Sequence, residues 1–220
     1  MTATPTVPVE GLATALREGT RSAHEHAETR GFVTRMADGE VSVEAVADYH
    51  AQLYTVYVAL EAASDAMLDA PVAGLFADRN LNRVPGLESD LEALLGPEWR
   101  DRIRVSDATA AYRDRVLEVC STSEQAFVAH HYTRYLGDLS GGRIIAAKLA
   151  QHYGLTTERG LAFYDFPLIT EPVPYKRAYR DNLNSVPWDA EQIEATVEES
   201  RLSFALNTAV FEELGERHPA

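Results

Sequence analysis

The strongest constraint on the fold of this chain is a long stretch of helical periodicity that contains three glycines. From Ala126 to Tyr153 apolar residues recur at helical spacing, and Ser121 with Glu124 has the spacing of a capping box before this stretch. A glycine inside a helix costs about 1 kcal/mol relative to alanine, so three within two turns weaken the helix and require a reason. The three are Gly137, Gly141 and Gly142.

These glycines leave a strip of helix surface without side chains, and two readings of that strip are open. Gly137 and Gly141 are four residues apart, hence on one face, and the third glycine lies beside them. Either a neighbouring helix packs closely there or a bound group approaches the backbone. Asp138 and Ser140 lie between the glycines, and Arg134 precedes Asp138 by four residues, where the two can pair. These polar neighbours of the glycines favour a bound group.

The rest of the chain predicts a single all-α domain. Residues 1–10 contain two prolines and no periodicity, which predicts a flexible N-terminal tail before a domain over 11–215. No convincing alternating strand is present, and 154–175 reads as a long ordered connection. Ser42 and the pair Asp189 and Gln192 are predicted helix caps. Further helices are predicted from residue 12 to near Gly31, and over 32–37, 43–70, 87–95, 107–119, 175–183 and 190–214.

Composition excludes several classes of protein. The formal net charge of -14 argues against a nucleic-acid partner, which requires clustered cations. A single cysteine, Cys120, excludes intramolecular disulfides and thiolate metal cages and suits a reducing cytoplasm. The first residues show no basic or apolar export signal, and no apolar run approaches the ~20 residues that span a bilayer. We therefore expect a cytoplasmic protein without a membrane anchor.

Among the seven histidines, His24 has the setting that best suits a metal ligand. Ala23 and Ala27 leave room on its face, and Glu28, four residues later, could orient the imidazole through its second nitrogen. His26 is about 200° further round the helix and should point elsewhere. The residues alone do not separate this reading from an ordinary exposed histidine, and the HExxH, GxGxxG and GxSxG motifs are absent.

Six segments, in this order and spacing, resemble the haem oxygenases. The block at 132–142 is the most specific of them, and the resemblance covers nearly the whole chain after the tail. It implies an all-α fold in which haem b is sandwiched between a proximal N-terminal helix and the glycine-rich distal helix. The segments are AHEHAE at 23–28, YVALE at 57–61, YTRYLGDLSGG at 132–142, FYDF at 163–166, YKRAYRDNLN at 175–184 and FALNTAVFEEL at 204–214.

The resemblance also assigns roles around the haem. It implies that His24 binds the iron, and that Asp138 holds a distal water with Tyr57 and Arg134 in its network. It implies that the missing side chains of the three glycines let the backbone lie against the porphyrin. By the same resemblance the haem propionates meet Arg17, Tyr132, Lys176 and Arg180, and the pocket is lined or backed by Phe166, Phe204, Asn207 and Phe211. His130 and His131 match no ligand of the family and are predicted to be structural.

The activity implied is oxidative opening of haem, with haem as both substrate and cofactor. O₂ and an electron donor such as a ferredoxin with its reductase, or a flavin reductase, would be needed, and the products would be biliverdin of the α isomer, CO and ferrous iron. Arg143 replaces a usual glutamine, and Ala146 and Ala147 replace lysines that help some relatives dock a reductase, so the donor stays open. Two alternatives also stay open: a haem-binding protein that stores, carries or senses haem, and an unrelated helical bundle whose glycines are for packing.

Overall fold

The structure, a computed structural model, describes residues 11–28 and 31–219, and the side chains of 25–28 lie outside that description. Within these limits the chain is helical, with isolated β-bridges at Thr156 and no strand. The prediction of an all-α fold is confirmed. The helices are α1 (Leu12–Gly19), α2 (Arg21–Glu28), α3 (Phe32–Ala37), α4 (Val43–Ala66), α5 (Val84–Leu95), α6 (Trp99–Arg102), α7 (Asp107–Val119), α8 (Glu124–His131), α9 (Gly137–Tyr153), α10 (Pro172–Ser185) and α11 (Ala190–Arg217).

Two of the predicted helix caps are confirmed. The hydroxyl of Ser42 accepts a hydrogen bond from the amide of Ala45 at 3.1 Å and starts α4. Asp189 and Gln192 form a reciprocal capping box at the start of α11, with N–O distances of 2.9 and 3.1 Å. Each cap satisfies amide groups that the first turn of a helix leaves without partners.

The predicted capping box at Ser121 and Glu124 is wrong. Ser123 is the cap of α8, and its hydroxyl accepts a hydrogen bond from the amide three residues on at 3.2 Å. The carboxylate of Glu124 instead accepts from the amides of Val72 and Ala73 at 2.7 and 2.6 Å. Glu124 therefore fixes the turn at Ala73–Leu75 to the start of α8, a long-range contact that local spacing does not reveal.

The predicted single N-terminal helix is divided at Thr20 into α1 and α2. The Thr20 side chain is buried, and its hydroxyl donates to the carbonyl of Leu16 at 2.7 Å. Such a bond from a threonine to its own helix competes with regular helical geometry. The predicted flexible tail at 1–10 lies outside the described residues, and the domain limits 11–215 stay a prediction.

The glycine-containing stretch is one continuous helical run with a local change of pitch. A π-helical segment at Tyr132–Leu136 joins α8 to α9, where the sequence predicted regular helix. π-helical turns often occur at functional sites. This segment carries Arg134, which is 6% exposed, and it leads directly into Gly137. The run ends at Gly154, whose φ of +64° terminates α9 in the left-handed region.

The core surrounds α4, which packs against α5 and α7, while α11 packs against α7, α8 and α1. His130 and His131 belong to this core, as predicted: His130 bonds to Glu199 at 2.9 Å, and His131 bonds to the hydroxyl of Tyr179 at 2.8 Å. Burial raises the pKa of the Cys120 thiol well above its usual range, which keeps it protonated. The largest fully buried side chains include Trp99, Tyr57, Tyr112, Tyr135, Phe32 and Phe76.

No helix in the described part of the chain is both long enough and apolar enough to cross a membrane.

Candidate haem site

A cavity of about 670 Å³ lies between the N-terminal helices and α9. Its volume falls within the roughly 300 to 1,000 Å³ of small-molecule and cofactor sites. Residues of α1, α2, the π-helical segment, α9, α10 and α11 contribute to its walls. The predicted site residues that line it are Arg17, His24, Tyr132, Arg134, Gly137, Asp138, Gly141, Gly142, Arg180, Phe204, Asn207 and Phe211.

One wall of the cavity is the glycine face of α9. A Cβ atom placed on Gly137 or on Gly141 would have no heavy atom within 4 Å, so both positions face open space. By contrast, a Cβ on Gly86 would lie 2.8 Å from the carbonyl oxygen of Ala162, which is the environment of a packing glycine. Helix packing is therefore the wrong reading of Gly137 and Gly141. At Gly142 the added atom would lie 3.4 Å from the ring of Tyr164.

His24, in α2, belongs to the lining of the same cavity. It is exposed and packs edge-on against the ring of Phe204 with 5.7 Å between centroids. Phe204 belongs to α11 and is 9% exposed, so it backs the imidazole with a fixed apolar surface. The predicted support from Glu28 concerns a side chain outside the described residues.

A hydrogen-bonded network surrounds Asp138 at the start of α9. The hydroxyl of Tyr57, from α4, donates to the Asp138 carboxylate. Arg134 lies one turn before Asp138, with 3.5 Å between Nη2 and Oδ1, and its Nε donates to the Tyr57 oxygen at 3.4 Å. Its Nη1 donates to Oδ1 of Asn207 at 2.6 Å. Side chains from four elements thus form one network, in which Tyr57 and Arg134 orient the carboxyl and Asn207 holds Arg134 without any ligand.

The electrostatics of this network suit proton transfer. Burial raises the pKa of the Asp138 carboxyl well above its ordinary value, and its side chain is only 16% exposed. The nearby guanidinium of Arg134 and the Tyr57 hydroxyl favour the ionised form and oppose that effect. A carboxyl whose pKa burial raises is suited to take up and release a proton.

The cations predicted for the propionates lie around the rim of the cavity. Arg17, whose side chain is 70% exposed, and Arg180 both line it. Burial raises the pKa of Tyr132, and the charges of Arg180 and Arg17 oppose that rise. Lys176 is not one of the lining residues, but its ammonium donates to the hydroxyl of Ser140 at 3.2 Å, and Ser140 lines the cavity.

The family model for haem oxygenase matches residues 10–213 of this chain. The chain belongs to the haem oxygenase family. It is 40% identical over 203 residues to haem oxygenase 1 of the cyanobacterium Synechocystis, covering 92% of this chain and 84% of that protein. It is 37% identical to haem oxygenase 1 of Pongo abelii over 209 residues, which are 94% of this chain and 73% of that protein.

Solved structures of the family have the same fold. The crystal structure of Synechocystis haem oxygenase 1 in complex with haem superposes with a TM-score of 0.90 at 38% identity, over 94% of each chain. The haem oxygenase of Leptospira interrogans superposes with a TM-score of 0.87 at 32% identity, over 93% of this chain and 100% of that one. The haem oxygenase-like fold expected from the resemblance is confirmed.

Two further tyrosines line the cavity, although the sequence motifs assigned no role to them. Tyr49 lines the cavity from α4, about two turns before Tyr57, and that spacing was the available signal. Burial raises the pKa of Tyr49 to about 12, although the charge of Arg134 opposes the rise. Tyr164, which belongs to the FYDF segment at 163–166 but was given no role of its own, also lines the cavity. Phe166 does not line it and lies behind, where the guanidinium of Arg83 stacks 3.7 Å from its ring centroid.

Proposed function

We propose that this protein is a haem oxygenase that binds haem b in the cavity of about 670 Å³ and opens it oxidatively. The products are biliverdin, CO and ferrous iron, and the reaction uses O₂ and an external electron donor. The observation that carries this proposal is one cavity lined both by a histidine of α2 and by glycines of α9 whose missing side chains leave open space. Family membership supports the same conclusion.

The residues of the cavity fit haem in three respects. His24 supplies an imidazole nitrogen, a common axial ligand of haem iron. The open positions at Gly137 and Gly141 leave room for a flat macrocycle against the backbone of α9. The cations at the rim, Arg17 and Arg180 with Lys176 beside them, suit two carboxylates. Haem therefore matches the shape, the ligand chemistry and the charge of the cavity.

Haem, when bound, supplies the iron that activates O₂ and the ring carbon that is oxidised. Asp138 holds water on the α9 side and passes protons through it. Tyr57 and Arg134 keep the Asp138 carboxyl in place, because each bonds to it and Arg134 is itself fixed by Asn207. The backbone at Gly137 and Gly141 faces open space, so it would lie close to a bound macrocycle and would restrict access to its edge from the α9 side.

The rim residues would determine how a bound macrocycle is rotated in the cavity. The propionates are charged groups at one edge of haem, so contacts to Lys176 and Arg180, four residues apart on α10, would select one rotation over the others. We infer the α isomer of biliverdin as the product, as the resemblance implies.

Electrons reach this site from a separate protein, and we infer a ferredoxin with its reductase or a flavin reductase. Two alanines, the half-buried Ala146 and the exposed Ala147, occupy the positions on α9 where some relatives have lysines. Arg143 is exposed on the same helix. We further infer a cytoplasmic location, supported by a single cysteine that is buried and reduced.

Incubation of the purified protein with haemin and a reductant in air tests the function. We expect loss of the Soret band, a bile-pigment spectrum, and CO detectable as an adduct with ferrous myoglobin. A stable Soret band would indicate a protein that carries or senses haem. Failure to develop any Soret band would indicate that the cavity does not take haem at all.

A further inference from the structure

A second cavity, of about 450 Å³, lies behind the first, on the side of α9 that faces the connection between α9 and α10. Several of its lining residues are exposed, so it reaches the surface: Arg143, Thr157, Asp165 and Thr170. Asp138 and Tyr164 line both cavities. These two side chains therefore form a shared wall between the haem site and a solvent-facing space.

The Tyr164 hydroxyl is an unpartnered polar group in this wall. Its ring packs against Phe163, with 4.9 Å between centroids, and against His50 at 5.8 Å. The hydroxyl oxygen is buried, and none of the described protein groups gives it a hydrogen bond. A buried hydroxyl without a partner costs about 1 to 3 kcal/mol, whereas water in an adjoining polar cavity satisfies it. Tyr164 is thus suited to hold water beside Asp138.

The other contacts of Asp138 lead into closed parts of the molecule. Tyr57 is fully buried, with the rings of Tyr135 and Phe163 centred 5.5 and 5.6 Å away. Arg134 is 6% exposed. Haem in the first cavity would cover the remaining side of the carboxyl. The second cavity is the side on which Asp138 stays open to solvent.

We propose that the second cavity is the inlet through which water and protons reach Asp138, and that Tyr164 is a positioning residue that holds the last water of this path. The inference rests on the proposed function, because reduction of O₂ during haem opening consumes protons. Each transfer moves one proton. Water in the inlet gives a proton to the Asp138 carboxylate, and bulk solvent returns a proton to that water. The protonated carboxyl then gives its proton to water on the haem side and becomes a carboxylate again. The tyrosine hydroxyl orients the water and stays protonated.

The inlet is tested by blocking it. Ala146 lines the second cavity but not the first, whereas its neighbour Ala147 is exposed on the same helix and lines neither. We expect Ala146→Phe to lower the turnover of haem at least about tenfold, the scale of a lost proton-transfer path, and to enlarge the solvent isotope effect. Ala147→Phe should behave as the wild type in both measurements. Equal rates and isotope effects in the two variants would overturn the inlet.

The role of Tyr164 is tested without haem. The titration of Asp138 can be followed by NMR of ¹³C-labelled aspartate carboxyls, assigned with Asp138→Asn. A hydroxyl that holds a water toward the carboxylate favours its ionised form, so Tyr164→Phe should raise the pKa of Asp138 by about one unit. Tyr54→Phe is the matched control, because Tyr54 lines neither cavity, packs against Trp99 and has its hydroxyl 3.4 Å from Glu88.

An unchanged Asp138 titration in folded Tyr164→Phe would contradict the positioning role. If Tyr164→Phe does not fold, the comparison of Ala146→Phe with Ala147→Phe decides the inlet by itself. Failure of the proposed oxygenase function and failure of the proposed inlet would give different results. A wild type that leaves haem intact refutes the oxygenase, whereas a wild type that cleaves haem at the same rate as Ala146→Phe refutes only the inlet.

Discussion

The network around Asp138 and the rim of the cavity are both polar, yet the protein builds them differently. Asp138, Tyr57, Arg134 and Asn207 come from four elements and are joined by hydrogen bonds within the protein. At the rim, the Arg17 side chain is 70% exposed and pairs with the neighbouring Glu18 at 3.0 Å, and Arg180 is exposed. The network is organised before any ligand binds, whereas the rim is organised by the ligand that it meets.

This difference determines how mutations should act. Buried, mutually bonded groups work as a unit, so removing one alters the others and the effect is large. Exposed cations contribute about 0 to 1 kcal/mol each, and salt weakens them. Changes in the network should therefore affect catalysis steeply, and changes at the rim should affect affinity and product distribution moderately.

The largest effect is expected at Asp138. Asp138→Ala removes the proton-handling carboxyl but no contact to iron, so haem affinity should change less than about threefold while biliverdin formation falls at least about a hundredfold. Absorbance titration with haemin and product chromatography measure the two quantities. Asp65→Ala, an equal truncation of an exposed residue paired with Arg79, is the control. Unchanged biliverdin yield in Asp138→Ala would show that the network does not serve catalysis.

A substitution at Gly141 should change haem affinity and protein stability in opposite directions. Gly141→Ala places a methyl group in open space, so the haem-free protein should gain up to about 1 kcal/mol of unfolding free energy while haem affinity falls about tenfold. Denaturant unfolding and haemin titration test this. Gly74→Ala should instead lower the free energy of unfolding, because the added Cβ would lie 2.7 Å from the carbonyl oxygen of Leu68. Tighter haem binding by Gly141→Ala would contradict the position of the macrocycle.

The smallest effect is expected at the rim. Replacing Lys176 and Arg180 by alanine removes two partly or fully exposed cations, so haem affinity should fall about five- to thirtyfold at low salt, and less at high salt. The macrocycle can then rotate, and chromatography should show mixed biliverdin isomers. Arg177→Ala, an exposed cation on the same helix that does not line the cavity, should leave the product unchanged. A single isomer from the double variant would assign regiochemistry to α9 alone.

Local patterns predicted most of the helices, because apolar periodicity and capping residues act within a few positions. Asp107–Val119 was predicted with its observed bounds, and the capping box at Asp189 was found from spacing alone. The errors have two causes: Thr20 divides the first helix through a local bond to Leu16 that apolar periodicity does not reveal, and Glu124 bonds to a distant partner, Val72. The same limit applies to the site. Motifs indicated Asp138 and the glycines, but the cavity side of Tyr164 depends on how 154–171 folds over α9.

The central claim is that haem lies between His24 and the glycine face of α9, and substitution of the ligand tests it most directly. Haemin titration of His24→Ala, with and without imidazole, should show a weakly bound haem without the imidazole-ligated spectrum and almost no biliverdin. Added imidazole should restore part of the spectrum and of the turnover by occupying the vacated space. His26→Ala, an equal change two residues along α2, should match the wild type. If His26→Ala abolishes turnover and His24→Ala does not, the account is contradicted.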